Sequence, residues 1–183
     1  LKNKLASLLG SRVTRTESVS GGDIHSAFEF HLADGRCLFA KAGVTEFPDL
    51  FEREADGLAW LREAHAVRVP EVVCVASNDD LGPAVLVLER IARRPRSAGF
   101  DEQLGEGLAR LHRASASQFG FARDNYLATL PQDNRASEGW GEFYASRRIA
   151  PLLARAANAG LLPTELALRL ERLIARIPAL VGM

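Results

Sequence analysis

The segment Asp49 to Ala64 places a carboxylate where an amphipathic helix cannot leave it unpaired, and that constraint reaches beyond the segment itself. At about 100° per residue, Leu50, Phe51, Leu58 and Leu61 share one apolar arc and Glu54 falls near its middle, while Glu52, Asp56 and Glu63 fall on the opposite side. Burying an unpaired charge costs on the order of several kcal/mol, so this helix is expected to meet a cation. Of the 23 basic residues only Lys2, Lys4 and Lys41 are lysine, and Lys41 stands alone beyond the first few positions. One internal lysine in so arginine-rich a chain marks a place that needs a compact ammonium on a flexible stem, chance retention being the plain alternative. The pattern predicts a Lys41–Glu54 pair. The competing arrangement turns Glu54 sideways to Arg62.

The elements around this pair read as a small antiparallel sheet. Ile24, Phe28, Phe30 and Leu32 alternate at period two, Asp34-Gly35 supplies a turn, and Cys37 to Lys41 resumes the alternation, which predicts a hairpin whose second strand carries the lysine. After the helix, Glu71 to Ala76 and Ala84 to Leu88 read as two strands separated by the turn Asn78 to Pro83. From Ile91 to Gly99 the chain turns polar, so the boundary between two units is placed there, giving 1–90 and 91–183. The second unit reads as helical, with Leu104, Leu108 and Leu111 on one packed face and His112 beside it. A turn-rich stretch from Phe119 to Gly139 follows. Then come Trp140 to Asn158, with Pro151 kinking or splitting the helix, and a last helix opening at Thr164, with the stripe Leu166, Leu170, Leu173, Ile174 and Ile177.

Composition narrows the partners. Twenty-three basic residues balance 23 acidic ones over 183 residues, so no net field draws the chain to nucleic acid or an anionic membrane. No apolar run approaches the roughly 18 residues of a membrane span. Cys37 and Cys74 show neither metal-ligand spacing nor a disulfide framework, and a reducing cytoplasm is the expected location.

Upstream of the lysine strand, Ser20-Gly21-Gly22-Asp23-Ile24 forms a small-residue turn whose backbone N–H groups could approach phosphate oxygens. A Gly-Gly turn alone says little. Followed by a hairpin, a strand lysine and a helix glutamate 13 positions on, it matches the nucleotide lobe of kinases, where the lysine holds phosphates and the glutamate holds the lysine. The strand Val85 to Leu88 then runs into Glu89-Arg90-Ile91, whose backbone at Glu89 and Ile91 is the candidate adenine contact.

With these residues in place, the chain resembles the fructosamine kinase, or ketosamine-3-kinase, family, related in fold to aminoglycoside phosphotransferases. The resemblance rests on Ser20-Gly21-Gly22-Asp23-Ile24, Phe39-Ala40-Lys41, Phe51 to Leu58, Val69-Pro70-Glu71-Val72 and Leu108-Ala109-Arg110-Leu111-His112. More particular to this family are Phe119-Gly120-Phe121-Ala122-Arg123-Asp124-Asn125-Tyr126, Pro131-Gln132-Asp133-Asn134, Trp140 and Phe143 to Arg148. It implies an α+β, protein-kinase-like fold: a small antiparallel-sheet lobe with one packed helix, then part of a helical lobe. It implies ATP and Mg²⁺ as cofactors and phosphorylation of the 3-hydroxyl of a ketoamine sugar on an amine or glycated lysine, a deglycation reaction. ATP is expected at Gly21, Gly22, Asp23, Ile24, Lys41, Glu54, Glu89 and Ile91. Some members carry a redox-sensitive cysteine in the phosphate loop, where this chain has Asp23, so no disulfide switch is expected.

The family's His-Gly-Asp-Leu-Trp catalytic loop and later metal-binding aspartate do not occur before Met183. No catalytic or metal-binding residue is therefore expected within the chain, and the 183 residues alone are expected to be inactive. His112-Arg113 imitates the start of such a loop, but Ala114 stands where the aspartate belongs, so it reads as a packed helix end. Asp124, Asn125 and Trp140 are the candidate sugar contacts, since amides bond hydroxyls and aromatic faces pack on ring C–H groups. Self-capping of turns and anchoring of a helix are the competing roles. Arg147 and Arg148 could grip phosphate or solvate a helix, and solvation is the expectation. Two other functions remain open at this point: a phosphotransferase for aminoglycosides or other small alcohols, and a noncatalytic nucleotide-binding protein ending at Met183. The oligomeric state is not legible.

Overall fold

The computed structural model describes residues 1–19 and 25–181, so Ser20, Gly21, Gly22, Asp23 and Ile24 lie outside the described residues. Two compact units divide between Ala114 and Ser115, later than the boundary at 90/91 read from composition. Among the described residues no helix is long and apolar enough to cross a membrane.

The first unit is built on an antiparallel sheet of β1 (Val13–Val19), β2 (Ser26–Leu32), β3 (Cys37–Gly43), β4 (Val72–Ala76) and β5 (Ala84–Glu89), in the order β1-β2-β3-β5-β4. The β2–β3 hairpin turns where expected. Gly35 takes a φ of 89°, open to a residue without Cβ, and the Asp34 carboxylate accepts from the Arg36 N–H and guanidinium. Those bonds pull the Asp34 carboxyl down to about 2.

Strand alternation sends the two faces of this sheet to two cores. Phe30, Leu32, Leu38, Ala40, Ala42, Val85 and Val87 pack with Leu5 of helix α1 (Lys2–Leu9). On the other face Ala84, Leu86 and Leu88, with Phe39, pack against Phe51, Ala55 and Leu58 of helix α2 (Leu50–Glu63). The expectation of one packed helix is thus corrected to two, one on each face. α1 is held by Lys4, only 1% exposed, whose ammonium donates to the carbonyls of Ser77 (2.5 Å) and Gly82 (3.2 Å) and pairs with Asp79 (2.9 Å). The turn that Asn78 to Pro83 announces in sequence is therefore also the socket of the first helix.

Helix α3 (Phe100–Arg113) belongs to the first unit, and of the expected packed leucines only Leu111 is half-buried. Leu104 and Leu108 are exposed, and His112 is exposed rather than packed. Contact is made at buried Gly107, where a Cβ would come within 2.9 Å of Val67, and by Arg110, which donates to the Ala66 carbonyl.

In the second unit the turn-rich stretch contains a short hairpin, β6 (Asn125–Leu127) with β7 (Leu130–Gln132). Helix α4 (Trp140–Tyr144), a π-helical turn (Ala145–Ile149) and α5 (Ala150–Asn158) follow, with Pro151 in the first turn of α5, directly after the π-helical turn. The last helix, α6 (Thr164–Val181), meets α4 at Gly141, whose absent Cβ would stand 2.6 Å from the Pro178 backbone. Of the expected α6 stripe only Ile177 is buried, while Leu166 and Leu173 are exposed.

Candidate functional site

Lys41 lies on β3 between Phe39 and Gly43 on the face that meets α2, because residues two apart share a face. Phe51 (2% exposed) docks α2 on that face, and Glu54 follows one turn later. The result is the expected pair: Lys41 Nζ donates to Glu54 Oε1 at 2.5 Å. Its environment differs from the expectation of a buried carboxylate. The two side chains are 35% and 33% exposed, so the pair sits at the rim of the strand–helix seam, where a ligand could reach the ammonium. Leu61, assigned to the apolar arc, is also exposed. Arg62, the competing partner, donates instead to the Val69 carbonyl.

Glu89 ends β5 three residues beyond Leu86, the cross-strand partner of Lys41, which places it about 10 Å further along the strand. Its N–H donates to the Glu71 carbonyl (2.8 Å), so a ligand there could use only the Glu89 carbonyl. The Glu89 carboxylate takes bonds from Arg68 and from the Glu71 N–H, and the Arg68 contact holds its carboxyl below the ordinary range. It borders a concavity of about 530 Å³ that Arg62, His65 and Arg68 also line. Ile91 lies just past the strand. Between them Arg90 pairs with Glu29 of β2 at 2.5 Å, tying the strand exit to the hairpin, a contact the sequence did not signal. Gly21, Gly22, Asp23 and Ile24, the expected phosphate loop, lie outside the described residues.

The three candidate sugar residues fall in the second unit. Asp124 accepts the Asn134 N–H (2.8 Å), so one of its oxygens is committed to its own loop. Asn125 opens β6 with a side-chain oxygen that is buried and has no hydrogen-bond partner. Trp140 stacks with Phe143 and Tyr144 and tilts against Phe119, yet stays 39% exposed.

Arg147 and Arg148 do not solvate a helix, contrary to expectation. Arg147 pairs with Asp133 at 2.5 Å. Arg148 donates to the Asp133 carbonyl (2.8 Å) and to the side-chain oxygen of Asn134, itself 2% exposed, while its guanidinium lies 4.4 Å from the centre of the Phe143 ring. Burial pulls Arg148 below the ordinary arginine value. These bonds staple the Asp133-Asn134 loop to the π-helical turn. The hint in sequence was the pairing of two arginines with an Asp-Asn dipeptide, but the 14-residue separation hides it.

A model of the fructosamine kinase family matches residues 2–181. The chain is 36% identical over 153 residues to a Klebsiella aerogenes protein named a probable ketoamine kinase, covering 83% of this chain and 52% of that one. It is 33% identical over 141 residues to an Arabidopsis thaliana protein named a chloroplastic protein-ribulosamine 3-kinase, covering 76% of this chain and 42% of that one. A crystal structure of a Thermobifida fusca protein, provisionally named a fructosamine-3-kinase, matches with a TM-score of 0.83 at 33% identity, covering 100% of this chain and 62% of that one. The antiparallel sheet and helices thus form the kinase-like α+β fold expected from the sequence. The chain spans about half the length of the curated relatives it matches.

Proposed function

The chain belongs to the fructosamine kinase family, and from that premise we propose that it supplies the nucleotide-holding part of an ATP-dependent ketosamine 3-kinase. The observation that carries this reading is the Lys41–Glu54 pair at the rim of the seam between β3 and α2. An ammonium held there by a carboxylate can neutralise the α- and β-phosphates of a nucleotide. The Glu89 carbonyl, about 10 Å along the sheet, and the Ile91 backbone just past the strand supply the adenine contacts. Gly21, Gly22, Asp23 and Ile24 complete the phosphate side. The acceptor is a ketoamine sugar on an amine or glycated lysine, phosphorylated at its 3-hydroxyl, with the exposed Trp140 ring and the unpartnered Asn125 oxygen as its candidate contacts.

Phosphoryl transfer further needs a carboxylate at the acceptor hydroxyl and oxygen ligands for Mg²⁺. Those roles are assigned to the half of the relatives' length that this chain does not span.

A coupled assay with MgATP and a ribulosamine or fructosamine substrate tests the reading. Turnover is expected from the full-length protein and none from residues 1–183. Lys41→Ala in the full-length protein should lower turnover by ~100-fold or more, the usual loss when one charged donor at the transferring phosphates is removed. An active Lys41→Ala enzyme would refute the site.

A further inference from the structure

His25 also enters the seam between β3 and α2, beside the ion pair. His25 immediately precedes β2, and the β2–β3 register pairs Ser26 with Ala42 and Ala27 with Lys41. One step further places His25 opposite Gly43, on the same face of the sheet as Lys41. The imidazole lies over Gly43: a Cβ built there would stand 2.8 Å from His25 Cδ2, closer than side chains tolerate. On its other side the ring meets Phe51 of α2, with centroids 4.9 Å apart and planes tilted by 58°. Phe51 and Glu54 are three residues apart and share a helix face. Two bridges therefore cross the same seam side by side, Lys41–Glu54 and Gly43–His25–Phe51.

The charges at the seam reach the imidazole. Its ordinary value of 6.5 is lowered, first by burial, with Lys41 from β3 opposing protonation and Glu54 from α2 favouring it. The glycine at position 43 gains a reason from this arrangement. β3 is otherwise a regular strand, where glycine weakens the sheet by lacking a side chain to pack. Here its bare backbone admits the ring.

We propose that His25 is a positioning residue for nucleotide binding: its imidazole fills the space between Gly43 and Phe51 and fixes the separation of β3 and α2 at which Glu54 reaches Lys41. The proposal rests on the nucleotide role of Lys41 argued above. Removing the ring leaves Phe51 free to settle toward the strand, which shifts Glu54, one turn on, relative to the lysine. Filling position 43 pushes the ring, and with it Phe51, the other way. His25 thus acts through Glu54 rather than by donating to the ligand.

The test measures MgATP affinity of the full-length protein by calorimetry at neutral pH, together with melting temperature and the KM values for ATP and for the ketoamine. His25→Ala should weaken MgATP by about tenfold and raise the KM for ATP while leaving that for the ketoamine unchanged, as expected of a residue coupled to a site through packing. His25→Phe, which keeps a ring in the gap, should stay within about threefold of the parent. Gly43→Ala should weaken MgATP in the parent but add less than about twofold in a His25→Ala background, because the clash is then gone. Parent-like affinity in His25→Ala, or additive losses in the double variant, would overturn the proposal, and so would a drop in melting temperature alone. Should His25→Ala not fold, Gly43→Ala decides: weakened binding at a retained melting temperature supports the proposal and unchanged binding overturns it. Lys41→Ala runs alongside. If it leaves MgATP affinity unchanged, the nucleotide site itself fails and this proposal with it. If it weakens affinity while His25→Ala does not, only the role of His25 fails.

Discussion

Replacing Glu54 by glutamine separates two roles that a salt bridge can play. The substitution keeps shape and removes charge, so Lys41 loses its ionic partner without a cavity being opened. Its effect on stability should be small. The two side chains are 35% and 33% exposed, and pairs this accessible to water contribute up to about 1 kcal/mol. α2 has a stronger anchor in Phe51, 2% exposed against Leu86 and Leu88, whose burial alone contributes about 1.5–3 kcal/mol. The helix should therefore remain docked in Glu54→Gln, and urea unfolding should show a loss below about 1 kcal/mol. Turnover should respond differently. A lysine with four rotatable bonds, held only by a neutral amide oxygen, spends more of its time away from the phosphates. Misplacing a positioned group of this kind typically costs about 10- to 100-fold in rate, which corresponds to roughly 1.4–2.8 kcal/mol of barrier. Steady-state kinetics of the full-length protein, run beside the unfolding curve, read both quantities. A loss of stability above about 3 kcal/mol would show that the pair, not Phe51, docks the helix. Unchanged turnover and unchanged KM for ATP would show that the lysine needs no glutamate to find its place.

Two further expectations concern the parts that support the site. Lys4→Met leaves two carbonyls and the Asp79 carboxylate without their buried ammonium, so urea unfolding should show a loss of about 2–4 kcal/mol, and a stability equal to the parent would refute the socket role of the turn at Asn78 to Pro83. Asp133 has its carboxyl held well below the ordinary 3.8, chiefly by the Arg135 guanidinium and with help from Arg147. A depressed folded-state value means that the unfolded chain binds the proton more readily, so this contribution is present above pH 3.8 and fades as pH falls from there through the folded value. Asp133→Asn should lower stability at neutral pH and flatten that acid limb, and an acid limb unchanged by the substitution would refute the assignment.

What the chain's own order of residues determines is the local grammar of the first unit. Period-two alternation from Phe28 to Leu32 and from Cys37 to Lys41, with Asp34-Gly35 between them, specifies a hairpin because strand side chains alternate faces and a tight turn needs a residue open to positive φ. A single carboxylate within the apolar arc of a helix and a single internal lysine specify each other, because a charge near a core needs its opposite, and the structure joins them. These inferences use neighbours along the chain or one scarce residue type, and both survive without knowledge of packing. Period alone could not say how deep the pair lies. Glu54 falls at the edge of the packed face, and only the docking of Phe51 against Leu86 and Leu88 sets that depth.

The contacts that tertiary structure alone decided join residues far apart in sequence and common in type. Lys4 meets the carbonyls of Ser77 and Gly82 across more than 70 positions, through acceptors that every residue carries. Arg147 and Arg148 are two of many arginines, and nothing local distinguishes a guanidinium that staples a loop from one that faces water. Gly107 and Gly141 look like helix-weakening glycines until Val67 and Pro178 are seen against them. Leu104 and Leu108 show the converse, since an apolar stripe records what a helix can bury but not which neighbour, if any, covers it. Sequence encodes the periodicity of an element directly because periodicity is a property of one backbone. The partner across a gap is a property of two, and it exists only once the chain has closed on itself.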